Sequence, residues 1–157
     1  MKSLVQSINE SMRKINERYS PKDEKLFWKW IEDLGGEKCI KIINDDDSYE
    51  EFYKLVAKLG TTVEQFEMFS EIFYDLSSEM LYIIENDDDA GMSDDSCQYA
   101  SWSSPFYGEK EYKKALTYKN WRDVCDKYDG ENCGYAMTPE DYNNYIEDND
   151  EKPKGYK

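Results

Sequence analysis

The chain has 157 residues, of which 39% are hydrophobic, 35% charged and 15% aromatic, and its formal net charge is −15. This length and balance predict one soluble domain with a sizeable core rather than a disordered chain. The negative charge disfavours nucleic acid and anionic membrane surfaces, so the partner that we expect is a basic protein.

The chain contains no histidine. Histidine is the commonest general base and metal ligand, so its absence removes Ser–His and Cys–His nucleophile pairs and His-ligated zinc. The glycine-rich phosphate-binding motifs and the Gly-x-Ser-x-Gly motif are also missing. We therefore predict no catalytic residue, no metal site and no cofactor, and the sequence favours a protein that is not an enzyme.

Cysteine usage and hydropathy indicate the compartment. The four cysteines form no Cys-x-x-Cys pair, so we expect free thiols in a reducing cytosol; only Cys125 and Cys133 are close enough for an easy local disulfide, and whether they pair is left open. The N-terminus has no continuous apolar run of a secretory signal, and no stretch approaches the roughly 20 apolar residues of a membrane span. We expect a cytoplasmic protein.

The first predicted helices begin at the N-terminus. The spacing of the apolar residues predicts a basic amphipathic helix over residues 1–19. Ser20 and Pro21 are typical of a helix start, and Gly35-Gly36 ends that second helix. Trp28 lies off its apolar stripe, which indicates either a contact surface or a second packed face.

The central part of the chain carries the strongest periodicity. Residues 37–44 are a short apolar run that we interpret as a helix, and Ser48-x-x-Glu51 predicts a capping box for the next one. A second capping box, Thr62-x-x-Gln65, opens a long helix over 62–85. Its apolar residues recur every three or four positions and form one stripe, which should cross the whole core. They are Phe66, Phe69, Phe73, Leu76, Met80 and Ile83, widened by Met68 and Ile72.

The last third contains shorter elements. Ser93 predicts a helix cap followed by two acids, Pro105 should end that helix, and a further helix is predicted over 109–119. Residues 120–135 are hard to assign beyond one turn near Trp121. A short helix over 138–147 precedes a flexible charged tail over 148–157. The fold class is therefore mainly α: one helical domain (20–147) of about six to seven helices around the central helix.

The acidic clusters suggest calcium or carboxylate chemistry, and neither interpretation fits well. A calcium-binding EF-hand loop that starts at Asn86 lacks an oxygen ligand at its fifth position and the bidentate Glu at its twelfth. Asp94 and Asp95 are adjacent on a helix and point about 100° apart, so they would not share a proton. Complementing the helix dipole explains both aspartates more simply.

The stretch 91–116 resembles a bacterial family known as domain of unknown function 4240. The resemblance rests on a Ser-Asp-Asp step, an aromatic residue, a Trp-centred segment, a Gly and a Tyr-x-x-Ala-Leu step. The matching residues are Ser93, Asp94, Asp95, Tyr99, Trp102, Gly108, Tyr112, Ala115 and Leu116, with Phe27, Trp28 and Ile31 matching an earlier Phe-Trp-x-x-Ile step. The chain departs from the family at Cys97, where an aromatic residue is usual, and at 103–105. The resemblance implies a mostly helical domain and offers no established activity. An immunity-type role is the expectation that follows from the occurrence of such domains among bacterial conflict-system genes.

Two functional hypotheses follow. The first is a non-enzymatic acidic interaction module, such as an immunity protein that masks a basic toxin or effector surface. The alternative is an enzyme or small-molecule-binding domain with a carboxylate, Tyr and Trp site around residues 93–112. The predicted binding residues are Ser93, Asp94, Asp95, Tyr99, Trp102, Gly108, Tyr112 and Trp28, and the oligomeric state is left open.

Overall fold

The computed structural model describes residues 19–87, 91–117, 121–125 and 129–157, with the side chain of Asp123 excepted. The predicted N-terminal helix over 1–19 lies outside these residues except for Tyr19. Within the described ranges the chain is helical and contains no strand. The helices are α1 (Pro21–Leu34), α2 (Lys38–Asp45), α3 (Glu50–Lys58), α4 (Val63–Glu85), α5 (Asp94–Ser103), a 3-10 helix (Ser104–Tyr107), α6 (Glu109–Ala115), α7 (Trp121–Cys125), α8 (Glu131–Ala136) and α9 (Pro139–Asp148). The predicted mainly α single domain is confirmed.

Helix α4 is the centre of the core, as the sequence predicts. It is 23 residues long, and its stripe from Phe66 to Met80 is fully buried. At its C-terminal end Ile84 rather than Ile83 is the fully buried residue, since both positions fit a helical repeat after Met80. Helices α1, α5 and α9 and the 3-10 helix all pack against α4, so one hydrophobic core holds the domain together.

Local capping explains where two helices begin and why one prediction fails. Thr62 with Gln65 forms the predicted capping box of α4, and Ser20, predicted as the cap of α1, forms a capping box with Asp23. The box predicted at Ser48 is wrong, because the Asp46 carboxylate instead accepts hydrogen bonds from the backbone N–H groups of Ser48 and Glu51. Helix α3 therefore begins at Glu50.

Replacing Thr62 with alanine should lower the free energy of unfolding by about 1 kcal/mol, because the Gln65 N–H loses its acceptor at 3.1 Å. Thr138 is the matched control: it also precedes a helix, but its hydroxyl caps no backbone N–H there. Urea unfolding of both alanine variants measures the difference. Equal losses in the two variants would contradict the capping role of Thr62.

The C-terminal tail differs from the flexible segment expected from its charge. Tyr156 is buried, its backbone N–H donates to Gln65 Oε1 at 2.8 Å, and its phenol donates to Asp33 Oδ2. The Gly155 N–H donates to the Gly60 carbonyl at 2.8 Å. One aromatic anchor therefore holds an otherwise polar tail on the body of the domain.

Buried phenols and thiols should make the fold sensitive to alkali. Burial raises the pKa of Cys39 to about 12 from 9.0, and burial, followed by nearby carboxylates and phenols, raises the pKa values of Tyr53 and Tyr142 from 10.0. These groups stay protonated in the fold while the unfolded chain ionises, so stability is complete below pH 9 and falls above it. The Cys39 thiol alone should lower the free energy of unfolding by about 1.4 kcal/mol for each pH unit between pH 9 and 12.

Urea unfolding at pH 7, 9 and 10.5 tests this prediction. The urea concentration at the midpoint of unfolding should stay constant from pH 7 to 9 and then fall. In the Cys39→Ala variant this fall should be smaller. A midpoint that stays constant up to pH 10.5 would contradict it.

Candidate functional site

The short helix α8 organises the most distinctive surface of the protein. It has six residues, buries Cys133, Gly134 and Ala136, and packs against α5 and α2. Its sequence, ENCGYA, contains a glycine and is too short for a stable isolated helix. Tertiary packing therefore determines its conformation.

Two glycines let α8 and the turn before it approach α5 closely. A methyl group on Gly130 would overlap the Tyr99 carbonyl oxygen and would lie 2.9 Å from the Ser103 backbone nitrogen. A methyl group on Gly134 would overlap the indole ring of Trp102. Both positions therefore require glycine for space, because its missing Cβ lets other atoms pass close by.

Five aromatic side chains that are at least partly exposed lie on α8 or around it, and we call them the aromatic face: Tyr49, Tyr74, Tyr99, Trp102 and Tyr135. The Trp102 ring lies 5.8 Å from the Tyr99 ring and 5.4 Å from the Tyr135 ring, measured between centroids. The Tyr74 phenol donates to the Gly134 carbonyl, and the Tyr49 phenol donates to Asn132 Oδ1 at 3.0 Å. These hydrogen bonds and ring contacts fix the side chains in place.

The aromatic face is also where large hydrophobic side chains reach solvent. Tyr135 is 50% exposed and Tyr74 is 37% exposed, and no other large hydrophobic residue among those described is classed as exposed. Amphipathic rings held in one orientation lose little conformational entropy when they are covered by a partner. The face is therefore suited to protein binding.

Carboxylates border the aromatic face. Burial raises the pKa of Tyr49, and the carboxylates of Asp47, Glu131 and Asp141 raise it further. Burial and then the charges of Glu131 and Asp95 raise the pKa of Tyr99. These shifts place acids from the α2–α3 loop, α5, α8 and α9 close to the same group of phenols, so the local charge is negative.

The segments that build most of this surface contain no basic residue. Residues 59–109 hold twelve Asp and Glu and no Lys or Arg, and residues 129–151 hold eight and none. Helices α4, α5, α8 and α9 come from these two segments, and α5 and α9 both pack on α4. The acidic charge is therefore concentrated on one set of packed helices rather than spread evenly.

A groove of about 880 Å³ lies between α1 and the junction of the 3-10 helix with α6. Trp28, Leu26 and Ile31 supply apolar lining. Four lysines line it as well, namely Lys22, Lys25, Lys29 and Lys110, together with Asp23, Glu32 and Glu109. Lysines thus outnumber carboxylates here, in contrast to the whole chain.

Trp28 is buried in the wall of this groove and is 7% exposed. Of the two interpretations left open for it, the second packed face is correct, since its ring lies 5.4 Å from that of Tyr112. Its indole N–H has no hydrogen-bond acceptor among the described residues. A buried donor without an acceptor costs about 1–3 kcal/mol.

The predicted binding residues do not form one site. Tyr99 and Trp102 belong to the aromatic face, whereas Trp28 and Gly108 line the groove. Tyr112 is buried, and its phenol lies 2.7 Å from the Leu76 carbonyl oxygen. The remaining three cap or begin α5 in exposed positions: Ser93 accepts from the Ser96 N–H, and Asp94 and Asp95 follow it.

Three members of the aromatic face were missed by the sequence analysis: Tyr49, Tyr74 and Tyr135. They come from segments far apart in the chain, and only tertiary structure brings them together. One available signal was the pair of glycines four residues apart, Gly130 and Gly134, which allows a close helix approach. The other was the absence of basic residues from 129–151.

Two absences among the described residues bear on the site. No group of three or more Cys, Asp or Glu side chains there is arranged to hold a metal ion. No helix within the same ranges combines the length and apolar character needed to cross a membrane. All four cysteines are buried and in the thiol form, so no disulfide joins Cys125 and Cys133.

Comparisons of the chain with models of protein families, with curated proteins and with solved structures found no match. The resemblance to domain of unknown function 4240 stays a prediction, and the aromatic face and the groove are the two surfaces for which a function can be proposed.

Proposed function

We propose that the protein is a non-enzymatic binding module whose aromatic face binds a basic protein. The observation that carries this proposal is the set of fixed, partly exposed rings around α8, bordered by Asp47, Asp95, Glu131 and Asp141. Rings held in this way can act as binding anchors, and the acids around them favour a cationic partner.

The two parts of the surface would have different roles. Tyr and Trp anchors in desolvated contacts supply most of the binding energy in protein interfaces, so Tyr135 and Trp102 are the expected hot spots. Complementary charge steers encounter and weakens as salt rises. We therefore expect fast, salt-sensitive association with a partner that presents Lys or Arg around an apolar centre.

A more specific role follows from the family resemblance. An immunity-type protein that masks a basic toxin or effector surface needs an acidic binding face and no catalytic group of its own. The dense negative charge of 59–109 and 129–151 supports such a role. The partner would be a basic protein encoded by the same organism.

Capture from the source organism's lysate, eluted in steps of rising salt, tests the proposal with matched variants as bait. Tyr135→Ala should reduce recovery of the specific partner by about tenfold or more, because it removes an anchor from the centre of the face. Leu26→Ala is the matched control, because it truncates a partly buried apolar side chain that lies in the groove and not on the aromatic face.

The expected result is a basic protein that both the unchanged chain and Leu26→Ala retain and that Tyr135→Ala loses. If Tyr135→Ala captures the same proteins with the same salt profile, the aromatic face is not the binding surface. Circular dichroism of each bait confirms that the variants are folded.

A further inference from the structure

The groove beside α1 differs from the aromatic face in charge and in shape. It is concave and its volume of about 880 Å³ lies within the range of small-molecule sites. Its lining is apolar along Leu26 and Ile31 and basic at its edges. Nothing in the proposed binding of a basic protein uses it.

The lysines of the groove follow from helical spacing. Lys22, Lys25 and Lys29 lie three and four residues apart on α1, with Leu26 on the same side, so they form one row along the groove. Lys110 faces the groove from the start of α6. Four ammonium groups are thus brought together in a protein whose net charge is −15.

Several of these lysines are available for a ligand. Among the described residues, Lys22, Lys25 and Lys110 have no hydrogen bond or ion pair, and all three are exposed. Lys29 is engaged, since its Nζ donates to the Lys157 carbonyl oxygen at 2.8 Å. Of the carboxylates, Glu109 is paired with Lys113 at 3.2 Å, and Asp23 accepts the Ser20 N–H at 3.0 Å. Glu32 also lines the groove, so four lysines face three carboxylates and the lining has a formal excess of one positive charge.

A second, independent feature is the buried donor of Trp28. Its indole N–H has no acceptor among the described residues although the ring is nine-tenths buried. Buried polar groups are nearly always hydrogen-bonded in native proteins, so one without a partner in a groove wall requires an explanation. The indole nitrogen itself has almost no solvent-accessible surface, so a bound molecule would contact the Trp28 ring and would reach this donor only with a shift of the groove wall.

We propose that this groove binds an amphipathic organic anion, a molecule with an apolar body and one anionic head. The apolar body would lie against Leu26 and Trp28, and the head would be held by Lys25 and Lys110. Apolar walls with a few polar groups that fix orientation are the usual composition of ligand sites. The site is separate from the aromatic face and does not depend on the proposed function.

The first test compares decanoate with decyltrimethylammonium, two probes with the same chain and opposite charge, below their micelle concentrations. Binding is followed by the indole ¹H–¹⁵N resonance of Trp28 in the full chain, assigned with Trp28→Phe. A protein of charge −15 should attract the cation non-specifically. We expect decanoate to shift the Trp28 resonance saturably and the cation to leave it unchanged.

The second test is a pair of charge-matched variants. Lys25→Glu with Lys110→Glu should weaken decanoate binding by about tenfold, because two attractions become two repulsions. Lys41→Glu with Lys54→Glu changes net charge equally at exposed positions outside the groove, and it should change affinity less than about twofold.

Three results would overturn the proposal: no shift of the Trp28 resonance with decanoate, an equal shift with both probes, or equal weakening in both lysine pairs. Each would show that the groove has no selectivity for an anionic head. Far-UV circular dichroism confirms that the variants are folded, so that none of these results reflects lost structure.

Discussion

Replacing Gly130 with alanine should destabilise the fold by about 3 kcal/mol or more, because overpacking against backbone cannot be relieved by a rotamer change. The added methyl group would overlap the Tyr99 carbonyl oxygen and would lie 2.9 Å from both the Cβ and the backbone nitrogen of Ser103. To fit, α8 would have to move away from α5. Such a loss is a large part of the roughly 5–15 kcal/mol that stabilises a small domain.

Urea unfolding measures this loss, and Glu140→Ala, at an exposed position early in α9, is the surface control. The control should change stability by less than about 0.5 kcal/mol. Gly130 has an ordinary φ of −97°, so alanine would introduce no backbone strain there. The expected loss of stability therefore comes from the steric overlap alone. A Gly130→Ala variant as stable as the control would show that α8 does not pack on α5 as described.

Trp30→Ala should have the other largest effect, a loss of about 3–5 kcal/mol. Trp30 is fully buried, and its ring lies 4.6 Å from that of Phe69 and 6.1 Å from that of Phe66. Its indole N–H donates to Thr61 Oγ1 at 2.9 Å. Truncation would leave a cavity at the contact between α1 and α4 and would also leave the Thr61 hydroxyl without its donor.

Tyr135→Ala is the comparison for Trp30→Ala, because Tyr135 is half exposed and its loss leaves no closed cavity. We expect it to cost less than about 1 kcal/mol. If Trp30→Ala unfolded at the same urea concentration as Tyr135→Ala, the α1–α4 contact would not be part of the core.

The sequence was most informative where local signals and burial agree. The apolar repeat of α4, the cap at Ser20 and the capping box at Thr62 depend on residues within one or two helical turns, so spacing alone predicts them. The box at Ser48 failed because Asp46 offered the same N–H groups a competing acceptor. Local sequence rules cannot decide which of two nearby side chains, here Asp46 and Ser48, accepts the hydrogen bond from the same backbone N–H group.

Helix α8 could not be predicted because its helicity comes from tertiary contacts. Gly134 lowers the helix propensity of α8, but its missing side chain leaves the space that the Trp102 ring occupies. The tail was misjudged for a related reason: composition describes a segment on average and does not identify one anchor such as Tyr156. The candidate site depends on α8, so its members could not be grouped from sequence alone.

Binding through the aromatic face can be tested by a capture experiment with two charge-reversed baits of equal net charge. One carries Glu131→Lys and Asp141→Lys beside the aromatic face, and the other carries Glu32→Lys and Glu109→Lys on the groove. We expect the first bait to lose the basic partner at all salt concentrations and the second bait to keep it. Equal retention by both baits, or loss from the groove bait alone, would contradict a binding role for the aromatic face.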